Sequence, residues 1–380
     1  MAKPGFVPNP ARIKVLGLGG GGCNAVSRMV RADIQGVDFI GVNTDAQALL
    51  RMEAPTRIQV GEKLTRGLGV GGDHTLGAKA AEQSRDELRA AVSDSDMVFL
   101  AAGMGGGSGT GIAPLAAELA KKAGALTIAI CTKPFSFEGV HRMAVAEEGI
   151  KNLMDKVDTL ITIPNDRLLA MCDQRTAVDQ AFKMADDVLM HAVQAIAEVI
   201  TVPGMINLDF ADIKAVMKNA GQAWMSIGRG SGQHRAVDAA TNALASPLLD
   251  VKVEGAKGVL FNVTGGETLT LFEVNEAAEI IRKAVDPEAN IIFGVTFDAA
   301  MENELMITLI ATGFEASYKA GQGGKGAAAK DEDLKKLAQQ DDAEAALDIP
   351  TFLRSPQSKR QQEAPKPMPE PKKSPFRLHR

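Results

Sequence analysis

The chain has 380 residues, 45% hydrophobic and 23% charged, which is room for two folded domains and a remainder at ordinary globular composition. Asp and Glu (47) outnumber Lys and Arg (42), and the net charge of −5 lacks the basic surplus that phosphate-backbone binding requires, which argues against nucleic acid as a partner. Three scattered cysteines (Cys23, Cys131, Cys172) without a CxxC pair, and five histidines without HExxH spacing, argue for a reducing compartment and against both a disulfide framework and a zinc site.

The first residues, 1–11, form an extension broken by prolines where a signal peptide needs an apolar run. Nowhere do 18 apolar residues run together, so the sequence predicts a soluble cytoplasmic protein. From residue 12 to 175 short β-branched apolar runs alternate with helical stretches: Ile13–Gly17, Asp38–Asn43, Arg57–Val60, Met97–Leu100, Leu126–Cys131 and Thr159–Pro164. Near-continuous apolar strands between helices predict a doubly wound, mostly parallel α/β sheet covered on both faces.

Residues 176–202 read as one long central helix, because Val178, Phe182, Ala185, Leu189, Ala192, Ile196 and Val199 recur at a 4,3 spacing. Pro203-Gly204 stops it. A loop and short helix follow over 203–220, with Asp209 a natural N-cap for a helix at Ala211–Lys218. Residues 221–318 read as a smaller α+β domain, with strands at Gly258–Val263, Thr268–Leu271, Asn290–Thr296 and Leu305–Ile310 and a helix at Val274–Ala284. A glycine-rich and charged linker spans 319–346, and a short peptide 347–354 follows it. Residues 355–380 carry seven Lys/Arg, two Glu and six Pro, a basic tail that cannot bury a core and is expected to be disordered.

Two glycine-rich turns concentrate the chemistry. The first, Gly17-Leu-Gly-Gly-Gly-Gly22-Cys23-Asn24, follows a strand, opens a helix and satisfies GxGxxG. It lets backbone amides and a helix N-terminus approach phosphate. It fits a nicotinamide-dinucleotide site about as well, with Asp45 near the place of a ribose-binding acid. The second, Gly103-Met-Gly105-Gly106-Gly107-Ser108-Gly109-Thr110-Gly111, again lies between a strand and a helix. A dinucleotide fold has no use for it. Its amides and hydroxyls suit β- and γ-phosphates, and without a Gly-Lys-Ser/Thr it is no Walker A loop. Charge neutralisation then falls to helix dipoles and a cation, Mg²⁺ above all.

The run Gly103–Gly111 resembles the tubulin signature in the form used by the FtsZ family, bacterial tubulin-like cell-division GTPases. Asn43–Leu49, Thr132–Gly139, Thr162–Asp166 and Asn207–Asp212 agree in order and spacing, and Leu347–Arg354 is similar to the family's C-terminal docking peptide. The resemblance implies GTP/GDP as ligand with Mg²⁺ carried mainly on the phosphates, and K⁺ as a second candidate ion. It implies phosphate contacts from Gly20, Gly21, Gly22, Cys23, Asn24, Gly103, Gly105, Gly106, Gly107, Ser108, Gly109 and Thr110. It places Glu138 and Arg142 on ribose and phosphate, Phe182 against the guanine ring, and Asn165 and Asp186 on its edge.

Neither glycine-rich loop contains a carboxylate to activate water. The resemblance supplies one from another copy: Asn207, Asp209 and Asp212 enter the next subunit's pocket, so head-to-tail assembly completes the site. It further implies a division ring at mid-cell. Membrane-tethering and other division proteins would dock on Asp348, Ile349, Pro350, Phe352, Leu353 and Arg354, and the membrane would be met only indirectly, or weakly through the basic tail.

Cys23 stands where the family usually has glycine, near a helix N-terminus that tends to lower a thiol pKa, and oxidation sensitivity is the expectation. A nicotinamide oxidoreductase and a non-hydrolysing binding module are the competing readings. The first leaves the second glycine loop idle; the second has no use for two acids.

Overall fold

The computed structural model describes residues 11–169, 172, 175–201, 209–249 and 253–314. The N-terminal extension, the linker, the 347–354 peptide and the basic tail lie outside the described residues. The chain runs β1 (Ile13–Leu18), α1 (Gly19–Arg31), β2 (Val37–Asn43), α2 (Ala46–Arg51), β3 (Thr56–Gln59), α3 (Glu62–Thr65), α4 (His74–Gln83), α5 (Arg85–Val92), β4 (Met97–Gly103), α6 (Gly107–Lys122), β5 (Leu126–Lys133), α7 (Val140–Met154), β6 (Thr159–Pro164) and α8 (Asn165–Leu169). It continues with α9 (Val178–Thr201), α10 (Phe210–Met217), β7 (Gly221–Ser231), α11 (Arg235–Leu244), β8 (Gly258–Gly265), α12 (Leu271–Ala284), β9 (Asn290–Phe297) and β10 (Glu304–Thr312).

Among the described residues ten strands join one mixed sheet in the order β3-β2-β1-β4-β5-β6-β7-β10-β8-β9. Strands β1 to β6 are parallel. The first residues of β7 pair in parallel with β6, and the rest of β7 pairs antiparallel with β10, so one strand serves both halves. Apart from the short edge strand β3, which is exposed to half-buried, the parallel strands read as near-continuous apolar runs because both faces are covered. In β4, Met97, Phe99 and Ala101 face the layer of α1 and α9, while Val98, Leu100 and Ala102 face that of α5, α6 and α7.

The chain winds outward from β1 to β3 and then, after β4, in the opposite direction. A ligand of such a sheet belongs outside the carboxyl ends of the strands at that reversal, between β1 and β4. Both glycine loops sit there.

Helix α9 has 24 residues and so spans about 36 Å. Its stripe is buried from Ala185 onward, but Val178 is 66% and Phe182 41% exposed, so the first turn of the expected stripe leaves the core. Thr268–Leu271, expected as a strand, is instead a turn that ends in the N-cap of α12. Thr270 Oγ1 accepts from Glu273 N at 3.3 Å while Glu273 Oε2 accepts from Thr270 N at 2.9 Å, a capping box that consumes the strand-like threonines.

Strand β7 and helix α11 lack any counterpart in the sequence-level reading. Gly228 and Gly230 interrupt the strand pattern there, and the reason is packing. A Cβ on Gly228 would lie 2.1 Å from the Ala239 carbonyl oxygen, and one on Gly230 2.1 Å from that of Arg235. Glycine in a strand here marks the close approach of a helix.

Candidate nucleotide site

Helices α1 and α6 begin at the reversal point, and neither has a side-chain cap or an acidic residue in its first turn. Their first amides are therefore left for an external partner, and the dipoles favour an anion. The two starts touch. Gly19, at φ +68°, would place a Cβ 2.5 Å from Gly109 N, and a Cβ on Gly22 would lie 2.1 Å from the Ala101 carbonyl. At Gly20 and Gly106 a Cβ would meet nothing within 4 Å, so the cradle is open there.

Ser108 Oγ lies 2.8 Å from Thr44 Oγ1, which brings the loop after β2 into the same wall. Thr110 is buried, and its hydroxyl accepts from Gly105 N at 3.0 Å, a bond that shapes the loop. Gly105 adopts φ +97° beside the Arg142 carbonyl, 2.7 Å from an ideal Cβ. Cys23 faces inward: it is 3% exposed, with Sγ 3.4 Å from the Gly17 carbonyl oxygen. Burial pushes its thiol up to about 12. The expectation of a lowered thiol pKa is overturned, because the side chain turns away from the helix start into the core and desolvation outweighs the dipole.

On one side of the cradle a cavity of about 700 Å³ is lined by Gly71, Asp73, His74, Gly105, Gly106 and Arg142. Asp73 caps α4, and the Thr75 hydroxyl, donating at 2.7 Å, holds its carboxyl below the usual range together with the amides of Leu76 at 3.0 Å and Thr75 at 2.9 Å. It is an occupied carboxylate rather than a poised base. His74 Nε2 lies 3.4 Å from Glu148 Oε1. Arg142 pairs with Glu138 at 2.7 Å, and Glu138 also accepts from Phe135 N at 2.8 Å.

On the other side a cavity of about 420 Å³ is lined by Asn24, Arg28, Arg51, Phe182, Lys183 and Asp186. Phe182 meets Phe135 edge-on, 5.3 Å between centroids, and stays partly exposed. The Asp186 carboxyl is pushed up to about 7, first by burial, with Arg28 pulling it down and Asp187 pushing it up. At the top of β6 Asn165 is 5% exposed, and its Oδ1 has no hydrogen-bond partner among the described residues. The neighbouring Asp166 accepts from Ser136 N at 2.8 Å, which ties the loop after β5 to α8.

Asp209 and Asp212 lie elsewhere. Helix α9 starts beside the Phe182 cavity and ends with Thr201 against Gly36, which leads into the amino end of β2. Helix α10 is anchored at the same lower edge, where Thr159 Oγ1, at the start of β6, donates to the Met217 carbonyl. Asp209 caps α10, accepting from Ala211 N at 3.3 Å, and Asp212 occupies its first turn. The two acids and the glycine cradle are thus at opposite edges of the sheet. Asn207 lies outside the described residues.

Residues 12–173 match the sequence model of the Tubulin/FtsZ family GTPase domain, and residues 221–315 that of the FtsZ family C-terminal domain. Among solved structures, an FtsZ from M. jannaschii described as an empty dimer is 47% identical, with a TM-score of 0.78 over 80% of this chain and 88% of that one. The chain belongs to the FtsZ family. Its amino-terminal part is a GTPase domain, so the cradle belongs to a GTP- and GDP-binding fold rather than a nicotinamide one. CetZ1 of Haloferax volcanii, a GDP-bound monomer, is 20% identical with a TM-score of 0.69 over 80% of this chain and 95% of that one, a likeness of fold.

The nicotinamide reading loses its acid as well, because Asp45 caps α2, accepting from Gln47 N at 2.8 Å and Ala48 N at 3.1 Å. Among the described residues no helix is long and apolar enough to cross a membrane.

Sequence reasoning gave no role to Arg28 and Arg51, which line the Phe182 cavity, and held Thr44 only as part of the run Asn43–Leu49. A signal for Arg28 existed: Asn24, Arg28 and Arg31 sit at i, i+4 and i+7 on α1, one polar face of a helix whose other face is core.

Proposed function

We propose that this protein is a GTP-dependent, self-assembling cytoskeletal protein that forms head-to-tail filaments and hydrolyses GTP at a composite site between adjacent subunits. One observation carries the reading. The cradle has no carboxylate in either helix start, and Asp209 and Asp212 sit at the far edge of the same sheet. Water activation by a general base needs hydrogen-bond reach and contributes about 10² to 10⁴ in rate. A second copy stacked on the first brings its α10 acids to the cradle, and such a heterologous contact, repeated, makes an open filament. The M. jannaschii relative, described as a dimer, agrees with self-association.

In this reading Gly20 to Asn24 and Gly103 to Thr110 hold the phosphates, while Glu138 and Arg142 hold ribose and phosphate. Phe182 stacks on the base, and Asp186 with Asn165 reads its edge. Among the described residues no three His, Cys, Asp or Glu side chains gather as metal ligands. In this reading Mg²⁺ is carried mainly on the nucleotide phosphates, where it would supply charge neutralisation, and K⁺ is the second ion to assay. The filaments form the cytoplasmic division ring at mid-cell. The 347–354 peptide recruits the membrane tether and other division proteins, and the basic tail adds weak contact with anionic lipid.

The test is phosphate release per molecule across a dilution series, with light scattering after GTP addition. Turnover per molecule should collapse below the concentration at which scattering disappears. An undiminished rate in a dilute, unassociated sample refutes the composite site.

A further inference from the structure

The guanine-side cavity has a feature that the phosphate cradle lacks, a clamp between the two helices that border it. Arg28 of α1 lines the cavity together with Asp186 of α9. Its Nε donates to Asp187 Oδ1 at 2.7 Å, and its Nη2 donates to the same oxygen. Helix α1 begins at the first glycine loop and α9 begins at the base pocket, so this bond fixes the spacing between the phosphate-holding and base-reading ends. We propose that Arg28, clamped by Asp187 across the junction of α1 and α9, is a positioning residue for the Asp186 carboxylate and sets how well the site tells guanine from other purines. This rests on the reading of Asp186 as the guanine acceptor.

The chemistry follows from the donors on guanine. N1–H and N2–H₂ both need acceptors, and an ionised carboxylate offers two. A protonated carboxyl turns one oxygen into a donor and loses a bond. Asp186 stands at about 7, with burial raising it, Asp187 raising it and Arg28 lowering it. Two other pairs at this wall are engaged with each other: Arg31 forks onto Glu53 at 2.8 and 2.9 Å, and Lys183 pairs with Asp179 at 3.1 Å. Arg51 lines the cavity from α2. One turn beyond Asp187, burial keeps His191 below its ordinary value and hence toward neutral. Arg28 therefore supplies the charge that favours ionised Asp186. Because Asp187 holds its guanidinium, Arg28 does not occupy the acceptors that guanine needs.

The experiment measures dissociation constants for GTP, ITP and XTP from pH 6 to 8.5 by displacement of a fluorescent nucleotide, with thermal melts checking the fold. Wild-type affinity for GTP should rise with pH through a midpoint near 7, as Asp186 ionises. Arg28→Ala should move the midpoint up, so that GTP affinity near neutrality drops about fivefold for the first unit of displacement and about tenfold for each further unit, and recovers at high pH. Arg28→Lys should restore the midpoint and only part of the affinity. Asp187→Asn should lower the midpoint and weaken GTP at every pH, since the freed Arg28 then competes for Asp186.

Asp186→Asn separates the two claims: it should abolish the pH dependence and favour XTP, whose C2 carbonyl accepts from the amide. If Asp186→Asn keeps the preference for GTP, the guanine reading fails. If it loses that preference while the folded Arg28 and Asp187 variants keep the wild-type midpoint and GTP-to-ITP ratio, the positioning role is overturned.

Discussion

Thr44 and Ser108 meet hydroxyl to hydroxyl at 2.8 Å, tying the loop after β2 to the first turn of α6. Ser108 is the first hydroxyl beyond the open cradle, and α6 provides no competing side-chain cap. Ser108→Ala should weaken GTP binding about tenfold, the scale of one hydrogen bond to a charged group. Thr44→Val, which removes only the partner, should cost less. Equilibrium titration with a fluorescent GTP analogue measures both, and wild-type affinity in Ser108→Ala would remove this hydroxyl from the phosphate site.

Two adjacent glycines should fail in opposite ways. Gly19→Ala puts a methyl 2.5 Å from Gly109 N at a positive φ, so the loops must part and the apo protein should melt earlier. Gly20→Ala meets nothing within 4 Å, and replacing glycine in a helix favours the fold by up to about 1 kcal/mol. Its apo melting temperature should hold or rise while GTP binding is lost, because the methyl fills the open part of the cradle. Melts with and without GTP read both effects. If Gly20→Ala binds GTP normally, the phosphates lie elsewhere.

The strands β1, β2, β4, β5 and β6 were legible because burial on both faces leaves a near-continuous apolar run, and the glycine loops because only backbone-lined turns tolerate so many glycines. The rest was hidden for definable reasons. Gly228 and Gly230 disguise β7, and their purpose appears only when α11 lies on them. Thr268 and Thr270 look β-branched and strand-like, yet they serve Arg235 and the α12 cap. Cys23 sits in a phosphate-loop sequence, but its side chain points to the other side of the helix. Arg28 belongs to no motif and gains meaning only through Asp187, 159 residues away.

The thiols give a direct check on that inward orientation. Burial raises Cys23 and Cys131 to about 12, while Cys172 is partly exposed. At pH 8 iodoacetamide should label Cys172 alone in the native protein, because alkylation needs the thiolate. GTP turnover should survive that treatment. Mass spectrometry locates the adduct; rapid labelling of Cys23 would contradict its burial.

Arg235 and Glu273 form a close, largely buried ion pair in the carboxy-terminal half, with Nε to Oε1 at 2.6 Å and side chains 8% and 17% exposed. The pairing lowers Glu273 from 4.5 to about 2. A depressed carboxyl contributes stability that is full above its unfolded value of 4.5 and disappears as pH falls through about 2. Glu273→Gln should cost about 3 kcal/mol at neutral pH, since it leaves a buried guanidinium uncompensated. It should also flatten the stability profile between those two values. Urea unfolding at several pH values tests this, and an unchanged slope with pH would remove the pair from the acid response.

The composite site makes its sharpest prediction in a mixture. Asp212→Asn keeps the cradle and loses an acid, whereas Gly20→Ala keeps the acids and loses the cradle. Each alone should release phosphate near background. In an equal mixture, random head-to-tail pairing gives about one interface in four with an intact cradle facing an intact acid. Turnover should therefore reappear at about a quarter of the wild-type rate, on GTP held by the Asp212→Asn copies. Both acids lie across the sheet from their own chain's cradle, so no arrangement within one subunit predicts this rescue. A mixture as inactive as its parts, in the presence of demonstrable co-assembly, would place the water-activating group within a single chain.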